Sequence, residues 1–322
     1  MLLRRIGNSS VVSLKRKYFR ITTMAETRKR SLDATTSNQL SDLVSTILKD
    51  AGIENTITKG GWCLREGLSH VVTVNQEGLQ PIVLHSGAPR VYQSIKCRHD
   101  DAIQNMKNPT TCFESLCRIV AGQQLAGAAA QAVWRRLLET TQPLLTPKIV
   151  LELAEQSLAE NLQKPAGLSG AKARSIVDLA EKFESGVLHD TFLVTAPEQD
   201  VREALLQVRG IGPWSCDMFL LFYLERPDIL PLGDLGVRKG IAKHFGLQGS
   251  GKKGSLCPKK DVDQILQAVK PYEPYHSLFS YYMWKVADTK DVYNDSKQST
   301  KKVTPKTTAT PEKLSPRKRS RK

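Results

Sequence analysis

The sequence predicts a mainly α-helical protein, on three observations. Apolar side chains recur at helical spacing over 109–141, 147–161, 171–186, 197–207, 214–225, 234–246, 261–270 and 274–288, with no convincing strand among them. The connections between these segments are short and carry Pro or Gly, as at Pro165-Ala166-Gly167 and Arg226-Pro227. Finally, 322 residues of which 40% are hydrophobic are enough chain for a real core, which excludes a wholly disordered or fibrous protein. Successive helices packed around shared cores are the architecture this pattern implies.

In chain order, residues 1–38 form a basic N-terminal segment. Its first 23 residues carry Arg4, Arg5, Lys15, Arg16, Lys17 and Arg20 with hydroxyl residues and no acid, the composition of an organelle transit peptide. Met24 offers a second start, followed by the basic run Arg28-Lys29-Arg30. Within 39–108, Leu40, Leu43, Ile47 and Leu48 predict a short helix. Weak alternation over 70–93, broken by Gly78, Pro81, Gly87 and Pro89, predicts an extended or hairpin-like element. Residues 109–290 are the helical domain. Its one long interruption, 247–260, is expected to be an exposed, mobile loop because it consists largely of Gly, Ser and Lys. The tail 291–322 is rich in Lys, Thr and Pro and cannot bury enough apolar surface to offset its ordering entropy.

Net charge is +15, from 47 Lys and Arg against 32 Asp and Glu. The excess sits at the ends, leaving 28 basic and 30 acidic residues in 31–295. A polyanionic partner is suggested, although composition alone does not separate nucleic acid from a membrane surface or an import address. The last seven residues, Pro316 to Lys322, read as a nuclear address or a phosphate-binding arm, so a nuclear protein is expected, with a mitochondrial or plastid form left open by the N-terminal segment. No apolar run approaches bilayer-spanning length, which argues against a membrane protein. Cys63, Cys97, Cys112, Cys117, Cys216 and Cys257 show no C-x-x-C pair, so reduced, mostly buried thiols are expected rather than a metal or iron–sulfur site.

The segment richest in chemistry is Leu205 to Ser215, where a Gly210-Ile211-Gly212-Pro213 hairpin joins two apolar helical segments. Glycines permit close approach of backbone to another molecule, and Pro213 in a first helical turn gives up only an orphan donor. The remaining N–H groups of that turn suit a phosphodiester, yet a G-x-G alone is more often an ordinary turn between helices. Asp234 follows Gly233 and opens the next apolar helix. It reads as an N-cap and equally as an ionised carboxylate able to stabilise a developing cation or orient a water, and the two roles can coexist.

The run LLQVRGIGPWSCDMFLLF followed by LPLGDLGVRKGI resembles the helix-hairpin-helix (HhH-GPD) DNA glycosylase superfamily, most closely its 3-methyladenine DNA glycosylase II branch for alkylation repair in bacteria, yeasts and plants. IVAGQQLAGAAAQAVWRRL, GLSGAKARSIVDLA and PYHSLFSYYMW extend the likeness over about 109–290. The resemblance implies two helical subdomains flanking a base-binding cleft. It also implies a monofunctional enzyme that flips an alkylated purine, of the 3-methyladenine and 7-methylguanine class, out of double-stranded DNA and hydrolyses its N-glycosidic bond. Asp234 matches the catalytic carboxylate. Trp214, Trp284, Met218, Leu235 and Tyr282 fall at base-pocket positions, with Met218 and Leu235 standing where some relatives have tyrosines. Gln123, Gln124, Gly210, Ile211, Gly212, Ser215, Lys172, Arg238 and Lys239 fall at DNA-contacting positions, Gln124 as the wedge that fills the gap left by the flipped base.

Relatives that also cut the backbone place a lysine where this chain has Trp214, so no AP-lyase activity is implied. No catalytic cofactor is implied. The backbone of Val208 and Ile211 is matched to a structural Na+ or K+ site, and the expected partners are damaged duplex DNA and downstream base-excision repair enzymes, with the protein itself a monomer. A glycosylase for another damaged purine such as hypoxanthine, or a non-enzymatic helix-hairpin-helix DNA-binding protein, are the alternatives.

Overall fold

The computed structural model describes residues 39–53, 56–74, 79–89, 92, 111–125, 127–142 and 144–289. The basic segment 1–38, the stretch 93–110 with Cys97, and the tail 291–322 lie outside the described residues. The described residues up to Asp288 belong to one compact unit. Among the described residues the only β pairing is an isolated bridge between Ile57 and Cys63, and no helix is long and apolar enough to cross a membrane.

Helix α1 (residues 39–50) buries Leu40, Val44, Ile47 and Leu48, the one-face spacing expected of an amphipathic helix. The extended element expected over 70–93 is absent from the described part of that stretch. Instead α2 (Leu64–Val74) enters it and α3 (Gln80–Ser86) follows. The reason is visible in the side chains: Leu64, Leu68, Val71 and Val72 are all buried at helical spacing. Pro81 stands in the first turn of α3, where its missing N–H costs nothing, and Gly87 caps the end at φ 65°. Residues that look like strand punctuation here mark the two ends of a helix.

The helical domain continues through α4 (Cys112–Gly122), α5 (Gly127–Thr140), α6 (Pro147–Ser157), α7 (Gly170–Glu184), α8 (Asp190–Thr195), α9 (Glu198–Leu206), α10 (Pro213–Phe222), α11 (Leu235–Phe245), α12 (Val262–Val269) and α13 (His276–Asp288). A π-helical stretch, Leu158–Gln163, and a turn, Lys164–Ala166, prolong α6. Hydroxyl caps start several helices: Thr111, Thr146 and Ser169 accept from the N–H of Glu114, Ile149 and Lys172. Helix α8 is too short for a periodic signal and buries only Leu193; the ring of His189 caps it by accepting the Phe192 N–H. Gln123 and Gln124, expected inside the helical segment 109–141, lie instead in a bend between α4 and α5, with Gln124 at φ 57°.

Two groups of buried side chains organise the molecule. One continuous core runs from Cys112 to Ile229 and joins α4 through α10. The buried side chains from Leu40 to Tyr92 and from Val237 to Val286 lie outside it. The chain passes from the first group to the second between Ile229 and Val237, and Asp234 lies on that crossing. In the second group α11 and α13 touch through their backbones: a Cβ on Gly240 would lie 2.1 Å from the Met283 carbonyl oxygen. Cys112, Cys117 and Cys216 are buried as expected, and burial pushes the Cys216 thiol up to about 11. Cys63 and Cys257 are partly exposed.

The loop 247–260 carries its own hydrogen bonds. Gly249 and Gly251 donate their N–H groups to Gly254 O and Ser255 O, and Lys252–Gly254 forms a 3-10 turn. The Asp261 carboxylate accepts from the N–H groups of Ser250 and Cys257.

Candidate active site

Two structural features converge on Asp234. The first is the hairpin between α9 and α10. Its Val208 carbonyl accepts the Ile211 N–H, and Gly210 takes φ 75°, a left-handed conformation that favours glycine. A Cβ there would also lie 2.2 Å from the Ser175 hydroxyl. Gln123 fixes the turn from outside, donating its amide to Gly210 O at 2.9 Å and to Ser215 Oγ at 2.9 Å. The Arg209 N–H is held by the Asp178 carboxylate at 2.7 Å. Gly212 is the N-cap of α10 and Pro213 its first residue, so the N–H groups of Trp214 and Ser215 have no acceptor within the helix.

The second feature is the start of α11, where Asp234 is the N-cap. Its Oδ1 accepts from the Val237 N–H at 2.9 Å and from the Trp284 indole at 2.8 Å, while Oδ2 accepts from the Trp214 indole at 2.9 Å. Three elements therefore meet on one carboxylate: α10 supplies Trp214, α11 the cap, and α13 Trp284. Burial works against the charged form. Hydrogen bonds from Trp214, Val237, Trp284 and Gly236 outweigh it and hold the Asp234 carboxyl below its ordinary value. A carboxylate with both oxygens already accepting is a weak proton acceptor and a fixed negative charge. It suits the stabilisation of a neighbouring cation better than removal of a proton.

Trp284 stacks on Phe222 with ring centroids 5.5 Å apart and planes at 22°. Phe222 and Leu235 are exposed, so apolar and aromatic surface adjoins the carboxylate. The sequence reading did not single out Phe222; it closes an apolar run, FLLF, in which no spacing distinguishes an outward ring from core. It also left out Leu125, whose exposed side chain stands beside the exposed Gln124 in the α4–α5 bend.

Several residues expected at the base or the DNA do other work. Tyr282 is fully buried and donates its hydroxyl to Gly87 O, because the phase of α13 turns it into the second core. Met218 is buried on α10. The Lys172 ammonium is spent on Ala121 O and Gln123 O, closing the C-terminal end of α4, and burial lowers its pKa. Ser215 is buried with its hydroxyl on Gln123, and Gln123 itself is committed to the hairpin. Arg238 donates to Leu232 O and Leu256 O, bracing the chain on either side of α11. Lys239, Gly210 and Gln124 remain exposed.

Replacing Trp214 by Phe removes one of the donors that keep Asp234 ionised. A folded-state pKa held low keeps the charged form until the pH falls through it, so losing a donor raises that pKa. The acid limb of any Asp234-dependent rate is then expected to move to higher pH. A pH–rate profile checks this, and an unmoved acid limb would show that the indole does not tune the carboxylate.

Residues 117–270 match the family described as the HhH-GPD superfamily base excision DNA repair protein. The chain is 34% identical over 203 residues to a Bacillus subtilis protein provisionally named a DNA-3-methyladenine glycosylase, a match covering 62% of this chain and 62% of that protein. It therefore spans less than two thirds of that relative's length. It is 27% identical over 182 residues to DNA-3-methyladenine glycosylase 1 of Schizosaccharomyces pombe, covering 56% of this chain and 74% of the relative. A solved structure of the Schizosaccharomyces pombe 3-methyladenine DNA glycosylase in complex with abasic DNA is 23% identical at a TM-score of 0.47, covering 64% of this chain and 95% of that one.

Proposed function

We propose that this protein, whose residues 117–270 match the HhH-GPD superfamily of base excision DNA repair proteins, is a monofunctional DNA glycosylase that releases alkylated purines, 3-methyladenine and 7-methylguanine among them, from duplex DNA. The observation that carries the reading is the Asp234 carboxylate, ionised and held by two indole N–H groups and a backbone N–H at the start of α11. As the purine departs, the sugar becomes an oxocarbenium-like cation, and a fixed anion beside it lowers the barrier without moving a proton. The attacking water is oriented by the same carboxylate. An alkylated purine is itself positively charged and electron-poor, so stacking on an aromatic face is worth about 1–2 kcal/mol or more once desolvated. The stacked Trp284 and Phe222 supply such a face next to Asp234.

The duplex is gripped through backbone more than through side chains. The N–H groups at the start of α10 suit one phosphate of the flipped nucleotide's strand. Val208 and Ile211 carbonyls are the proposed ligands of a bridging Na+ or K+; the Val208 oxygen accepts one N–H and keeps a second lone pair for such an ion. Gln124, exposed in the bend, is the proposed wedge, and Leu125 offers an apolar tip beside it. Trp214 stands where backbone-cutting relatives have a lysine, so the product is an intact abasic strand for downstream repair enzymes. The basic run Pro316 to Lys322 supports a nuclear address.

The test is the spectrum of free bases released from methylated duplex DNA in competition with a hypoxanthine-containing duplex, run beside a borohydride-trapping reaction. The expected result is release of 3-methyladenine with no trapped protein–DNA adduct. Preferential release of hypoxanthine, or no release at all, would overturn the substrate assignment, and a trapped adduct would overturn the monofunctional one.

A further inference from the structure

Residues 247–260 carry Lys252, Lys253, Lys259 and Lys260 and no acid, whereas the rest of 31–295 has 24 basic against 30 acidic residues. Lys252, Lys259 and Lys260 are exposed. The backbone beneath them is fixed by the cross-loop bonds of Gly249 and Gly251 and by the Asp261 carboxylate, which turns inward onto the Ser250 and Cys257 N–H groups. Arg238, one helical turn after Asp234, ties the loop to the site. Its guanidinium reaches Leu256 O in the loop and Leu232 O just before Asp234.

From this arrangement we propose that the 247–260 loop is a second phosphate-binding surface, holding the DNA backbone beside the lesion through Lys252, Lys259 and Lys260. The inference rests on the reading of duplex DNA as the protein's partner. A solvated basic loop has no need of a preorganised backbone, whereas a phosphate contact gains from one, since less side-chain and loop freedom is lost on binding. The tie through Arg238 also explains why a basic residue so near Asp234 is spent on carbonyls: it positions the lysines rather than contacting DNA itself. Asp263, in the first turn of α12, is the nearest further acid in sequence and leaves the local balance positive.

The experiment compares the full-length protein with a K252Q/K259Q/K260Q variant for binding to an undamaged 20-base-pair duplex across a KCl series. Each phosphate contact contributes about 0.9 to the slope of log K against log salt. The variant is expected to lose about 1–3 of that slope and to bind about ten- to a hundredfold more weakly near 0.15 M salt. The triple Arg variant, which keeps the charge, is expected to restore the slope, and melting curves confirm that each variant folds. A wild-type slope in the Gln variant overturns the loop proposal alone. Failure of the wild-type protein to bind the duplex at all overturns the proposed function and the loop proposal with it.

Discussion

Replacing Asp234 by Asn is expected to slow base release on the order of a thousandfold, the scale on which removal of a preorganised charge partner acts, while duplex binding persists. Asn is as good an N-cap as Asp, so α11 still has its start. The side chain is not an innocent replacement, however. Three donors, from Trp214, Trp284 and Val237, point at two acceptor oxygens. An amide offers one oxygen, and its NH2 would face an N–H. That conflict costs about 1–3 kcal/mol, so a modest fall in melting temperature accompanies the loss of rate. Single-turnover excision measured beside a binding isotherm separates the two effects. Wild-type excision by the Asn protein would remove Asp234 from the reaction.

The second large effect is expected at Gly240, in the interior of α11. Alanine in a helix interior is ordinarily worth about 1 kcal/mol over glycine, so Gly240→Ala would stabilise α11 considered alone. The contact with α13 reverses that sign. A Cβ 2.1 Å from the Met283 carbonyl oxygen meets backbone, not a flexible side chain, and α11 and α13 must part by roughly an ångström to restore ordinary contact. Overpacking of this kind costs about 1–3 kcal/mol, or several degrees of melting temperature at roughly 2–4 °C per kcal/mol. The same displacement draws Trp284, one residue beyond Met283, away from Asp234. A misplacement of this size can cost up to about a hundredfold in rate. Calorimetry and excision kinetics on Gly240→Ala check both; a variant as stable and as fast as the parent would show that the two helices are free to separate.

Much of this was legible in the sequence because it is local. The hairpin, the cap position of Asp234 and the helical segments from Cys112 onward are each encoded within a few residues of themselves. The departures have a common cause in contacts between distant residues. The indole bonds to Asp234 span 20 and 50 residues, and no local pattern records them. The adjacent Tyr281 and Tyr282 differ only by the phase of α13, which is set by what packs against it; Tyr282 turns to Gly87. The resemblance implies DNA-contacting roles for Lys172 and Arg238, whose charge suits an outside polyanion. Their actual acceptors are carbonyls at helix and loop ends, invisible until the chain is folded. Pro81 and Gly87 mark the ends of a helix where the sequence predicts a broken strand, because punctuation looks the same at the ends of helices and strands.

The bond from Tyr282 to Gly87, together with that from the Trp62 indole to Glu225 O, makes the unit of folding longer than the matched stretch 117–270. The family match covers 117–270, which contains Asp234 but neither Trp284 nor α1 to α3. A fragment cut at those borders would keep Asp234 and discard one of its two indole donors, the helix that carries it, and the helices that hold that helix in place. The stretch 117–270 is thus shorter than what must fold together for the carboxylate to be properly seated.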